Sequence, residues 1–403
     1  MEQVKNATIW NRNFICAVLS NLLLCLGHFA VNQYVVSYAI YLGAGTALTG
    51  FLSGMFFGVA LAIRPISGPM ITKLDKRMLL IGVFALGAVA QLGYALFPSI
   101  PMFVVFRFVN GAQYSFVGSL IMTRVGDSLP PEKMVSGVGI YGVGGAIGMS
   151  LAPVIGTAIL SFGTERFGEL IGYRMLFFYA MIVMLVGMVP SIISTSDTKT
   201  KADVDSVGKW YENIVTVHAI PIAFSMLFSV MAYSVFNAYI VEFAKERGIP
   251  NASMFFTVMA VVLLVCRPTM GMLTDKFGVK RIVFPAMVLF ASSFIIVGFA
   301  NTLPMLLFAA VITALGYGAS QPTIQALAMR VVPPLRRGVA SNTIYIGIDL
   351  GFFVGPVVGG LIIQSTGDYG SMFKAFIAPA VIALGVLIAI LPKIERRIKE
   401  LGS

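Results

Sequence analysis

Runs of twenty or more mostly apolar residues recur from end to end of this chain, each closed by a few basic or turn-forming residues. A helix needs about 20 such residues to cross a bilayer. The chain divides into twelve candidates: 13–41, 48–70, 77–97, 101–124, 135–160, 171–194, 214–243, 252–273, 281–300, 304–329, 339–364 and 373–392. Composition agrees, with 58% hydrophobic and 11% charged residues among 403, against about 25% charged in a soluble domain. The expected fold is an all-α integral membrane protein of twelve transmembrane helices in two six-helix bundles, 1–194 and 214–403. The polar stretch 195–213 (TSDTKTKADVDSVGKWYEN) is expected to be a cytoplasmic linker between them. The first run is too long for a signal-peptide core of about 7–15 residues and is expected to be an uncleaved helix.

A net charge of +11 would suggest nucleic acid as a partner of a soluble protein. With both termini placed in the cytoplasm, twenty of the 28 Lys and Arg fall on the inner side, five on the outer side and three (Arg64, Arg107, Arg267) within spans. That bias is the positive-inside rule, so the charge reports orientation and no nucleic-acid partner is expected. Cys16, Cys25 and Cys266 all fall within spans without metal-ligand spacing and read as small packing residues. No metal site is expected.

A shift of 203 residues aligns the two halves. Arg64, Pro65 and Gly68 fall on Arg267, Pro268 and Gly271, and Pro101-Met102 falls on Pro304-Met305. Pro130-Pro131 falls on Pro333-Pro334, and Gly148, Pro153 and Gly156 fall on Gly351, Pro356 and Gly359. The two tryptophans, Trp10 and Trp210, precede the first span of each half, as interfacial anchors would. Because six is even, the halves share one orientation, which is the parallel repeat that transporters use to rock about a central site.

The motifs in these halves resemble the major facilitator superfamily over essentially the whole chain. The family's loop pattern G-x-L-x-D-R/K-x-G-R/K-R/K is matched by Gly271, Leu273, Asp275, Lys276, Gly278, Lys280 and Arg281. In the first half Gly68, Lys73, Lys76 and Arg77 match, but Thr72 stands at the acid position, with Asp75 nearby as a substitute. Arg107 to Gly111 is similar to the family's R-x-x-Q-G motif. Gly144, Gly148, Ala152-Pro153 and Gly156 are similar to its G-x-x-x-G-P-x-x-G-G antiporter motif. The resemblance implies the major facilitator fold with pseudo-two-fold related bundles, alternating access, and the branch that exports drugs or metabolites against protons. It also implies a monomer. Short loops fit a multi-pass protein of a bacterial cell membrane with the lipid bilayer as its solvent. Small residues every fourth position in the fifth and eleventh spans allow close helix packing; the hinge role of Gly148, Pro153, Gly351 and Pro356 is implied by the resemblance.

Ionisable groups inside spans cost about 2.5–3.5 kcal/mol on insertion scales, so each is a functional candidate. Arg64 and Arg267 sit close enough to the inner boundary to snorkel. Arg107 shares a helical face with Asn110, Gly111, Tyr114 and Gly118. The first span carries Asn21, Cys25, His28 and Asn32, followed by Gln33 and Tyr34; Tyr233 and Asn237 are four apart in the seventh, and Gln321 and Gln325 in the tenth. The resemblance implies that these four helices line a central cavity, so the substrate-binding candidates are His28, Asn32, Tyr34, Arg107, Asn110, Tyr114, Tyr233, Asn237, Gln321 and Gln325. Asp349, on a face with Asn342 and Tyr345, is the carboxylate deepest inside a span. It is either a proton-coupling group or half of a fixed ion pair, with His28 as a second proton candidate.

Two histidines in different halves assemble no catalytic triad, and no G-x-x-x-x-G-K-[ST] loop is present. The expectation is therefore a gradient-driven transporter of a small molecule, without a cofactor and not an enzyme. Two functions fit: proton-coupled efflux of an amphipathic molecule or metabolite, or import or exchange of a small organic carboxylate recognised by Arg107.

Overall fold

The computed structural model describes residues 9–44, 46–196 and 208–402, all helical or in turns, with no strand among them. Each predicted span is a helix. The first half holds Arg12–Asn32 continued by Val35–Tyr41, then Thr46–Lys73, Lys76–Leu96, Ile100–Ser128, Met134–Phe167 and Glu169–Ile193. The second holds Ile220–Glu246, Met254–Phe277, Val279–Gly298, Leu303–Arg330, Arg337–Thr366, and Tyr369–Ala375 continued by Ile377–Glu400. Below, these are the first to twelfth spans. Eleven are long and apolar enough among the described residues to cross a membrane. The fourth, Ile100–Ser128, has the length, with 29 residues, but its apolar character is diluted by Arg107, Asn110, Gln113 and Ser115. Residues 197–207 of the expected linker, and with them Lys199 and Lys201, lie outside the described residues, as does Lys5.

Packing divides the chain into two compact units. One consists of Trp10–Ser128 and Gly144–Ile214, and the other includes Leu129–Val143 and Val215–Ser403. Within the first unit, the third span packs on the fourth and sixth, the second on the fourth, and the first on the fourth and sixth. The same scheme recurs in the other: ninth on tenth and twelfth, eighth on tenth, and seventh on tenth, eleventh and twelfth. The small-residue stripes set the closest approaches. A Cβ on Gly148 would lie 2.9 Å from the Leu22 carbonyl oxygen, and one on Gly351 would lie 2.8 Å from that of Leu227. Any larger side chain would force the fifth span off the first, and the eleventh off the seventh.

Pro153 and Pro356 both sit inside helices. In each case the proline's own carbonyl accepts a bond from the first span of its half: Gln33 Nε2 donates to Pro153 at 3.2 Å, and Tyr239 Oη donates to Pro356 at 2.6 Å. The last helix runs past Pro392 to Glu400, beyond the predicted end at residue 392. Leu391, Ile394 and Ile398 are buried on one face, so packing carries the helix on.

Candidate functional site

Within the first half, the polar rows of the first and fourth spans meet. Arg107, 2% exposed, donates from Nε to the Leu52 carbonyl at 3.1 Å and from Nη2 to Asn32 Oδ1 at 3.1 Å. Its guanidinium lies 5.0 Å from the Phe56 ring centre, and the Tyr94 hydroxyl is beside it. All these partners are neutral. His28 is held by rings, stacked on Phe56 at 4.6 Å and on Tyr114 at 5.3 Å, with Phe29 edge-on at 5.1 Å. Arg107, His28, Asn32 and Tyr114 therefore form one cluster. Asn110 is buried one turn along the fourth span. Tyr34 goes elsewhere, because the helix breaks at Gln33 and Tyr34 and turns them towards the fifth span, where Tyr34 Oη meets Thr157 Oγ1 at 2.6 Å.

In the second half, Tyr233 lies flat on Tyr317, with ring centres 4.0 Å apart and planes within 3°, and Phe352 edge-on at 6.4 Å. Asn237 hydrogen-bonds the Tyr233 hydroxyl. Gln321 accepts from Arg267 Nη2 at 2.9 Å, and Arg267 Nη1 donates to the Gly142 carbonyl at 2.5 Å. Gln325 is buried one turn further on. Asp349 is 1% exposed, on the same helix as buried Asn342 and Tyr345. Two residues before and after it, Gly347 and Gly351 face the seventh span. A step of two residues turns about 200° on a helix, so Asp349 lies on the opposite face.

The loop motifs diverge between halves. Asp275 accepts from the backbone amides of Val135 at 3.3 Å and Ser136 at 2.8 Å, and from Ser136 Oγ at 2.5 Å. Gly271 makes room, since its Cβ would sit 3.0 Å from Ser136 Cα. A carboxylate on the exposed amides of a helix's first turn is a favourable use of the helix dipole. Gly278, with φ +86°, ends the eighth span, a conformation that glycine adopts without cost, and Arg281 lies in the first turn of the ninth. In the first half, Thr72 Oγ1 donates to the Gly68 carbonyl of its own helix at 3.0 Å. Asp75 caps the third span, accepting from the Met78 amide at 2.8 Å, while Lys73 stands half-exposed in the last turn of the second. Asp75 thus caps its own helix.

Arg64 corrects an expectation. It is fully buried and donates from Nη1 to the Ser115 carbonyl at 2.6 Å and to Ser119 Oγ at 3.0 Å, so it does not snorkel. Phe56, Tyr94 and Tyr317 escaped the sequence reading because aromatic residues in apolar spans look like lipid-facing bulk. For Tyr317 a signal existed: it stands 203 residues after Tyr114 and four before Gln321. The three cysteines are free and buried, as the sequence indicates. At the end of the seventh span, Arg247 bridges Asp368 at 3.2 Å and Asn301 at 3.1 Å. Hydrogen bonds from Ser371 and the Gly370 amide, helped by Arg247, hold the Asp368 carboxyl below the usual carboxylate range.

The profile of the Major Facilitator Superfamily matches residues 17–221 and 222–402. The staphylopine export protein of Staphylococcus aureus (strain Mu50 / ATCC 700699) is 20% identical over 384 residues, covering 90% of this chain and 92% of that protein. Among solved structures, the proton:xylose symporter XylE superposes with a TM-score of 0.76 at 15% identity, covering 94% of this chain and 95% of that one. The human organic anion transporter MFSD10 superposes with a TM-score of 0.74 at 14% identity, over 93% and 99% of the two chains. At such identities these structures share the fold.

Proposed function

This multi-pass membrane protein belongs to the major facilitator superfamily, and from that premise we propose that it exports a small amphipathic metabolite carrying an acidic group, by alternating access coupled to protons. The observation that carries this reading is Arg107: a buried guanidinium whose partners are a backbone carbonyl, an amide, a phenol and an aromatic face. Burying a cation without a counter-charge costs several kcal/mol after relaxation, and an anionic substrate offsets that cost where a neutral one does not. Asn32 and Tyr114 line the same cluster and supply hydrogen bonds. The second half has its own stacked aromatic pair, Tyr233 and Tyr317, with Gln321 one turn beyond Tyr317.

Asp349 is the proposed proton carrier. It is 1% exposed inside the eleventh span, where gaining and losing a proton would change the charge held within the helix bundle. Asp275 on the first turn of the fifth span is the proposed latch that favours one access state. Outward direction rests on the likeness to an exporter over nearly the whole chain and on the glycine-proline pattern of the fifth span. The bundles 1–194 and 214–403, joined by 195–213, are the proposed moving bodies, with both termini cytoplasmic in the cell membrane and the protein acting as a monomer.

Uptake and efflux in proteoliposomes under imposed pH gradients, across anionic, neutral and cationic compounds, test the proposal. The expected result is movement of anionic amphiphiles against an opposing proton flux. Movement of neutral or cationic compounds alone would overturn the role of Arg107. Anion movement together with protons, or without any response to pH, would favour the import or exchange reading that the same arginine also supports.

A further inference from the structure

The third span presents Gly87, Gln91 and Tyr94 on one face, and the fourth presents Arg107, Asn110 and Gln113 at steps of three. The two helices pack against each other. A Cβ on Gly87 would lie 3.3 Å from the Gln113 side-chain amide, and Gly93 sits against the ring of Phe106. Because residue numbers rise along one helix as they fall along the other, these contacts bring Gln91 level with Phe108 and Val109, next to Asn110. Three amides therefore converge on one seam inside the first half.

All three are almost completely buried: Gln91 at 1%, Asn110 at 1% and Gln113 at 0% exposure. Among the described residues, neither side-chain polar atom of Gln91 or Gln113 has a hydrogen-bond partner, nor does Nδ2 of Asn110. Polar atoms left bare in a protein interior are rare because each forfeits its full hydration, and a cluster of them surrounded by lipid would cost a large part of a domain's stability. The chemistry of the group indicates what satisfies it. Amides present donors and acceptors together without net charge, which suits a ligand that both donates and accepts. A metal cation would find no carboxylate here and would be repelled by Arg107 one turn away.

We propose that the seam between the third and fourth spans binds a small cluster of ordered water molecules, held by Gln91, Asn110 and Gln113. A buried water typically makes about three hydrogen bonds, so two or three waters account for these atoms. The site lies one turn from Arg107 along the fourth span, where that span faces Gly87 and Gln91 of the third.

X-ray hydroxyl-radical labelling of the intact protein in lipid nanodiscs tests this, because bound water generates radicals beside the side chains that it touches. Tyr94, 1% exposed, is expected to be oxidised at least tenfold above Phe236, which is 0% exposed in an apolar cluster, after correction for ring reactivity. Gln91→Leu combined with Gln113→Leu is expected to abolish that excess. If Tyr94 reacts no more than Phe236, the site is dry and the proposal is wrong. Thermal unfolding gives a second reading that needs only one substitution: Gln113→Met is expected to lower the midpoint by several degrees. A raised midpoint would mean that the amide has no partner in the native protein, and would overturn the proposal.

Discussion

At the 203-residue offset, each half buries a charge where the other has alanine. Arg107 in the fourth span answers to Ala310 in the tenth, and Asp349 in the eleventh answers to Ala146 in the fifth. All four positions are buried. The packing scheme is shared, so the difference lies in what each half places in the same frame. The two halves share the glycines and prolines that set helix distances and the Arg64/Arg267 pair, while Arg107 and Asp349 have no ionisable counterpart. The first half thus has a buried guanidinium, and the second a buried carboxylate, that its counterpart lacks, the contrast on which the proposed anion and proton roles rest.

Four measurements bear on this contrast, in order of decreasing effect. Asp349→Asn should abolish accumulation driven by a pH gradient, while substrate counterflow, which needs no gradient, stays within about threefold. Normal pH-driven transport in that variant would leave the acidic half without its assigned task. Arg107→Ala should lower counterflow of anionic substrates by about 10- to 150-fold, the equivalent of the 1.5–3 kcal/mol of a hydrogen bond to a charged group, and that of neutral analogues by less than threefold. Equal losses for both classes would make Arg107 structural.

The loop motifs offer a third test of the same asymmetry. Asp275→Ala removes three hydrogen bonds to the first turn of the fifth span and should raise alkylation of a cysteine introduced at Met134 by about tenfold; Thr72→Val, at the matching position, should change it less than twofold. Similar effects from both would mean that the two loops act alike despite their different contacts. The smallest effect concerns Asp368. Its carboxyl is held below the usual range, so its stabilisation is present above the unfolded-state value and is lost as pH falls through the folded one. A third of the side chain is exposed, so the contribution is well under about 1 kcal/mol. Asp368→Asn should flatten the acid limb of a thermal unfolding profile slightly, and no change at all would remove the Arg247 bridge from the stability of the second half.

The spans were legible because hydrocarbon thickness fixes their length, and the repeat was legible because glycine and proline spacing survives when other residues drift. The cluster of Arg107, His28, Asn32 and Tyr114 was legible for a related reason: polar residues in an apolar helix stand out at a regular step. Tyr34 was misplaced because a polar stripe assumes an unbroken helix, and the helix breaks beside it. That Asp75 caps the third span was not legible from composition, since capping a helix and reaching another both call for a carboxylate near a helix end. Burial of Arg64 was hidden because its hydrogen-bond acceptors, Ser115 and Ser119, lie some fifty residues away in sequence.

The continuation of the twelfth span through Pro392 to Glu400 makes the end of the second half a stiff rod. Glu395, near its middle, reaches Lys280 of the ninth span at 3.6 Å, so the rod is tied to its own bundle. A fluorophore attached rigidly near Glu400 would turn with the second half as one body. Its polarised emission in an oriented bilayer would report the tilt of that bundle directly during turnover, without any label among the residues that meet the substrate.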